Sequence, residues 1–172
     1  MGIFLCFIVG ILVCGVTGLF TGIMVTRFSV APFIVTLAMM MVARGLALIV
    51  AVQYQSALLG GGTEGTPEAV KIEAAAFGWL GNGATFGIPN PILLMLALYG
   101  LAHITMTKTS IGRYIYAVGG NPEAARLSGV PVFGVLILVY AICGAMAGLA
   151  GIVDASRFEG GRPNAGEMYE LQ

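Results

Sequence analysis

The sequence predicts an all-α, polytopic integral membrane helical bundle with about four transmembrane helices, and three observations predict it. The 172-residue chain is 58% hydrophobic and only 9% charged, whereas an ordinary soluble domain carries about 25% charged residues. Its mean hydropathy is +0.96. Long apolar runs alternate with polar intervals, and each run suits a hydrocarbon core that a helix crosses in about 20 residues. Formal net charge is zero, which leaves no basic footprint for nucleic acid and no acidic tail.

The first span is residues 2–25, Gly2 to Val25, which carry no charge. A secretory signal peptide is the competing reading. No basic segment precedes the run, however, and its length exceeds the roughly 7–15 apolar residues of such a signal. Gly10, Cys14, Gly18 and Gly22 fall four apart, so small residues line one face and another helix can approach closely. Pro32 opens a second span, residues 32–52, with Arg44 inside it. A cation at that depth costs about 2.5–3.5 kcal/mol on insertion scales. Arg44 therefore faces protein or a watery path, either paired structurally with a carboxylate or backbone carbonyls or serving that path.

Residues 53–88 form an extramembrane loop rich in glycine, including Gly60, Gly61 and Gly62, and bearing Glu64, Glu68, Lys71 and Glu73. Glu68 to Phe77 suits a short helix, and Trp79 and Phe86 suit the depth at which aromatic rings favour the membrane interface. The glycine triplet lacks the following Lys-Ser/Thr of a phosphate-binding loop. The third span, residues 89–107, begins with Asn90 and Pro91 and contains His103. With no carboxylate in the same span, His103 is read as a hydrogen-bonded packing residue rather than a proton relay. The fourth span is residues 132–153. Gly144 and Gly148 make a small-residue face there, with Ala147 and Gly151 offset beside it, and Asp154 closes the span. Cys6, Cys14 and Cys143 lie inside apolar runs without a CxxC pair or a neighbouring His. They are read as buried small hydrophobes rather than metal ligands or disulfides.

Between the third and fourth spans lies a polar interval, residues 108–131, reading KTSIGRYIYAVGGNPEAARLSGVP from Lys108 to Pro131. Asn121 suits a helix N-cap, Pro122 the first helical position, and Glu123 the positive end of the helix dipole. Ala124, Ala125, Arg126 and Leu127 continue as good helix formers. Gly129 suits the left-handed residue that closes the helix, and Pro131 stops it running into the next span. Gly119 and Gly120 are read as the bend before it. About two turns of helix are too short to persist in water alone, so packing against something else must stabilise them.

The run GRYIYAVGGNPEAARLSGV, Gly112 to Val130, resembles the cytoplasmic loop of permease subunits from bacterial ATP-binding-cassette importers of the ribose, xylose, arabinose and galactose group. PFIVTLAMMMVARGLALIV (Pro32 to Val50) and GLAGIVDASRFEGGRPNAGEMYELQ (Gly148 to Gln172) are similar to flanking parts of the same family. The resemblance implies that the interval holds a coupling helix seated in a groove of a separate ATPase subunit. On that reading Gly119, Gly120, Asn121, Pro122, Glu123, Ala124, Ala125, Arg126 and Gly129 form the coupling element, with Glu123 and Arg126 making polar contacts. Family members are about ten-span subunits, so the chain is expected to be a partial permease domain from the middle of one.

The resemblance further implies a second permease copy, most simply a homodimer, a periplasmic or extracellular sugar-binding protein, and residence in the lipid of the bacterial cytoplasmic membrane. It implies no cofactor and no metal. Arg44, Gln53 and Asn90 are candidates for the translocation path of a monosaccharide, and Trp79 is either a sugar-stacking ring or an interfacial anchor. The alternative for the interval is a solvated loop held at the lipid headgroups by Tyr114 and Tyr116.

Four spans put Arg27, Lys108, Arg113 and Arg126 on one side and Lys71, Arg157 and Arg162 on the other. The larger Lys/Arg count points the first side to the cytoplasm. No Walker A run, HExxH or GxSxG is present, which argues against an enzyme. An ATP-independent secondary transporter or channel is the rival, but such proteins more often show paired intramembrane acids or interrupted helices, and Asp154 lies only at a span edge.

Overall fold

The computed structural model describes residues 2–59, 70–71, 75–85 and 87–161. Among the described residues seven helices carry the architecture: α1 (Gly2–Phe28), α2 (Pro32–Leu59), α3 (Ala75–Asn82), α4 (Asn90–Lys108), α5 (Ser110–Gly120), α6 (Pro122–Leu127) and α7 (Val132–Arg157). Four of them are long and apolar enough to cross a membrane, over Leu5–Phe28, Pro32–Tyr54, Asn90–Lys108 and Val132–Arg157. The protein is an all-α membrane bundle. Its described strands form two separate antiparallel pairs of two-residue strands, β1 (Val70–Lys71) with β4 (Gly160–Gly161) and β2 (Ala84–Thr85) with β3 (Ile88–Pro89).

The tightest packing joins α1 to α7, which run antiparallel with their small-residue faces opposed. From one end to the other, Gly10 meets Ile152, Cys14 meets Gly148, Gly18 meets Gly144, and Gly22 meets Tyr140 and Ile137. A Cβ on Gly18 would collide with the Tyr140 carbonyl oxygen and lie 3.0 Å from the Gly144 Cα, so backbone lies directly on backbone. Lipid tails are as apolar as leucine, and such contact is what drives helices together in a bilayer. Gly151, offset from this line, has open space around it and takes no part. Thr21 is buried beside the seam, and its hydroxyl donates to the Thr17 carbonyl at 2.8 Å, which hides its polarity.

One end of this pair is closed by α3. Ser156 is fully buried and donates its hydroxyl to the Phe77 carbonyl, while the Asn82 side-chain amide donates to the Arg157 carbonyl at 3.3 Å. Phe77 also meets Phe7 of α1 with ring centroids 5.8 Å apart. Where a short helix is expected over Glu68 to Phe77, the described residues are a strand at Val70–Lys71 and then α3 from Ala75 to Asn82. Val70 and Lys71 are held extended by pairing with Gly161 and Gly160, and extended backbone cannot also make a helical turn. Glu64, Glu68, Gly60, Gly61, Gly62, Glu73, Phe86 and residues 162–172 lie outside the described residues.

Two further expectations are corrected. Cys6 and Cys143 are exposed and only Cys14 is half-buried, at the α1–α7 seam; His103 is exposed on α4. In a membrane span an apolar position need not point inward, because lipid solvates the outer face as well as protein does. No residue in the apolar stretch of α2 is buried.

The seam predicts a cross-link and its failure. An ideal Cβ on Gly15 lies 3.9 Å from the Ala145 Cβ, inside the roughly 3.5–4.5 Å range of disulfides. With the native cysteines replaced by serine, Gly15→Cys with Ala145→Cys should therefore oxidise readily, read as loss of alkylatable thiol. Adding Gly144→Val should push the helices apart, destabilise the bundle by about 1–3 kcal/mol, and suppress the cross-link.

Candidate partner-docking site

The polar interval folds into two helices rather than one. Thr109, extended at φ −108 and ψ 160, is the single residue between α4 and α5. Its hydroxyl donates to the Thr105 carbonyl at 2.6 Å and accepts from the Gly112 amide at 3.3 Å, so one side chain ends one helix and caps the next. Gly112 is buried because a Cβ there would run into the Met106 backbone. Gly112, Ile115 and Val118 recur three apart along the inner face of α5, while Arg113, Tyr114 and Tyr116 are exposed.

Gly119 and Gly120 are the last residues of α5, not a bend. The break falls one residue later, at Asn121, with φ −155 and ψ 106. The Asn121 amide still donates to the Ala117 carbonyl at 3.2 Å, and its side-chain Oδ1 accepts from the Glu123 and Ala124 amides at 3.0 and 3.1 Å. Asn121 thus closes α5 and opens α6. Pro122 follows at the first helical position, where a missing amide hydrogen costs nothing.

The far end of α6 is closed as completely. Gly129 takes φ +81, its amide donates to the Arg126 carbonyl at 3.1 Å, and the Val130 amide donates to the Ala125 carbonyl at 3.0 Å. This is a Schellman cap, and its apolar contact is present as well. Ala125, 5% exposed, is buried with Val118 of α5 and Val135 of α7, and Ile115, Val130, Val132 and Leu136 pack around them. A six-residue helix is thereby held at both ends and on one side. Glu123, Ala124, Arg126 and Leu127 are left exposed.

Beside α6, Pro122, Glu123 and Arg126 share an open groove of about 590 Å³ with Val25 and Thr26 of α1 and Phe133 and Leu136 of α7. The end of α1 and the start of α7 therefore lie at the same end of the bundle as α6. Arg157 lies at the opposite end, with Lys71 brought there by the β1–β4 pairing.

The three candidates for a path through the bilayer lie elsewhere. Arg44 is half-buried midway along α2, and Gln53 is exposed nine residues on, half a helical rotation away. Asn90 is buried at the start of α4, where its amide donates to the Trp79 carbonyl at 2.7 Å and its Oδ1 accepts from the Thr85 hydroxyl at 2.6 Å. These bonds tie α4 to the end of α3 and to the β2–β3 hairpin, and Trp79 itself remains exposed. The structure does not bring Arg44, Gln53 and Asn90 together. Among the described residues no group of three His, Cys, Asp or Glu side chains could hold a metal ion.

Over residues 1–172 the chain matches the family described as the permease component of the branched-chain amino acid transport system. It belongs to that permease family. It is 38% identical over 156 residues to the ribose import permease protein of Escherichia coli, an alignment covering 90% of this chain and 45% of that one. The ribose import permease protein of Bacillus subtilis is 37% identical over 150 residues, 87% of this chain and 43% of the relative. The L-arabinose transport system permease protein of Escherichia coli is likewise 37% identical over 150 residues, 87% and 42%. The permease chain thus spans less than half the length of the curated relatives it matches. No solved structure matches it. With four membrane-spanning helices in such a family, it is a multi-pass protein of the bacterial inner membrane, and the family is one of transport components rather than enzymes.

Residues 121 and 129 should set the order of α6. Removing the cap with Asn121→Ala costs about 1 kcal/mol. Gly129→Val forces a β-branched residue into the left-handed region at about 1–2 kcal/mol. Either should speed amide hydrogen exchange at Glu123 to Ser128 by about five- to thirtyfold, leaving exchange in α1 and α7 unchanged.

Proposed function

We propose that this chain is the coupling half of a monosaccharide-importing permease subunit driven by a separate ATP-binding-cassette ATPase, with α6 as the coupling helix. The observation that carries the reading is α6 itself: a short helix capped at both ends, fastened to the bundle through Ala125, and exposing Glu123 and Arg126 beyond the spans. Its setting supports the substrate class, since the relatives named above import ribose or L-arabinose. Arg27, Lys108, Arg113 and Arg126 gather at the α6 end, and basic residues favour the cytoplasmic side.

The packing suggests how motion would travel. When the ATPase dimer closes on ATP, force on α6 enters α7 through the Val118, Ala125 and Val135 cluster. α7 is locked to α1 along the glycine seam, so the two helices move as one body. α2 and α4, fastened less closely, are the elements against which that body rocks between inward-open and outward-open states. A soluble sugar-binding protein delivers substrate at the α3 end, and a second permease copy completes the pore.

The deciding experiment is recovery of the complete subunit, tagged and extracted in detergent. The expected result is that an ATPase and a second permease copy come with it, and that Glu123→Ala loses the ATPase and transport while the subunit still inserts. Recovery without any ATPase, together with sugar uptake into vesicles lacking ATP, would overturn the reading in favour of an ATP-independent carrier.

Rigid-body motion makes a second prediction. The oxidised Gly15→Cys, Ala145→Cys pair should retain at least half of the transport rate of its reduced form. A complete block by the cross-link would show that α1 and α7 must slide on one another.

A further inference from the structure

Leu127 is 89% exposed, beyond every other large apolar side chain among the described residues; Phe33, at the start of α2, reaches 72%. The exposed apolar side chains of the spans have lipid to cover them. Leu127 belongs to no span. It stands at the end of α6 between Arg126 and Ser128, in the polar interval.

Helical geometry makes this exposure directional. At 100° per residue, Glu123, Arg126 and Leu127 fall within an arc of about 100°, and Ala125 lies on the opposite side of the helix. Ala125 is the α6 residue buried against the bundle, so Glu123 and Leu127 point away from it and Arg126 projects to the side. The outward patch is one leucine flanked by one acid and one base, with the small Ala124 beside it.

We infer that Leu127 is the apolar anchor of the coupling contact, entering a hydrophobic pocket on the ATPase whose rim carries a cation opposite Glu123 and a carboxylate opposite Arg126. The inference rests on the coupling reading and names the residue that holds it. Contacts between proteins concentrate their affinity in a few side chains that become fully desolvated, surrounded by polar groups that exclude water. α6 has that form in miniature. A membrane-binding helix, by contrast, spreads several apolar residues over a wide face, and this face offers one leucine between charges of both signs. Both caps of α6 are already made, so the leucine is presented in a fixed position.

The test uses the complete subunit in detergent, titrated with its ATPase. Leu127→Ala should weaken association about ten- to a hundredfold, and Leu127→Met, which keeps the volume, should restore most of it. Amide exchange across α6 should be unchanged in Leu127→Ala, since the side chain contacts almost nothing in its own chain. Wild-type affinity for Leu127→Ala, with Glu123→Ala still weakened, would overturn the anchor and leave the coupling helix standing. Wild-type affinity for both would remove both. A Leu127→Trp reporter, on a Trp79→Phe background in nanodiscs of brominated lipid, should be quenched little, whether or not ATPase is added. Strong quenching that ATPase leaves undiminished would give Leu127 to the membrane and overturn the anchor.

Discussion

The direct contact of the α1 and α7 backbones at Gly18 and Gly144 is the constraint on which the rest of this structure depends. It fixes the antiparallel course of the two helices, and with it the end of the bundle from which α6 projects. It also brings the end of α7 to where Ser156 can bind the Phe77 carbonyl and seat α3. A larger residue at Gly18 or Gly144, where a Cβ would meet backbone, would separate the helices. It would loosen both the closed end and the groove beside α6.

At the other end the structure is organised by single residues serving two elements. Thr109 ends α4 and caps α5, and Asn121 ends α5 and caps α6. Because each junction is one residue long, α5 has little freedom between its neighbours, and its Ile115 and Val118 are committed to the same small cluster as Ala125 and Val135. The polar interval is therefore a rigid continuation of α7, joined to the start of that span by the apolar cluster of Val118, Ala125 and Val135.

How far the sequence discloses this varies with the kind of signal. The four spans and the caps of α6 are local matters of hydropathy and of Asn, Pro and Gly in fixed order, and both are legible. The small-residue stripes on α1 and α7 were equally visible, but a stripe identifies a face and not its partner. That Gly18 meets Gly144 is a tertiary fact. α5 was hidden by its glycines. Gly112, Gly119 and Gly120 suggest a loop, yet Gly112 is there for close approach to Met106 and the other two sit in a final turn, where glycine is tolerated. The capping threonine and the spacing of Ile115 and Val118 were the available signal. Asn90 looked like a polar residue at the mouth of a span. Its three bonds to the α3–hairpin turn are made by residues whose positions no local pattern reveals.

The double capping of α6 has a kinetic consequence. A docking segment that folds only on contact must surrender about 1–2 kcal/mol of backbone entropy for each residue it orders, and that cost is subtracted from affinity. α6 is ordered before any partner arrives. Its encounter rate would be set by diffusion and charge, and changes to the exposed side chains would be felt almost entirely in how long the complex survives.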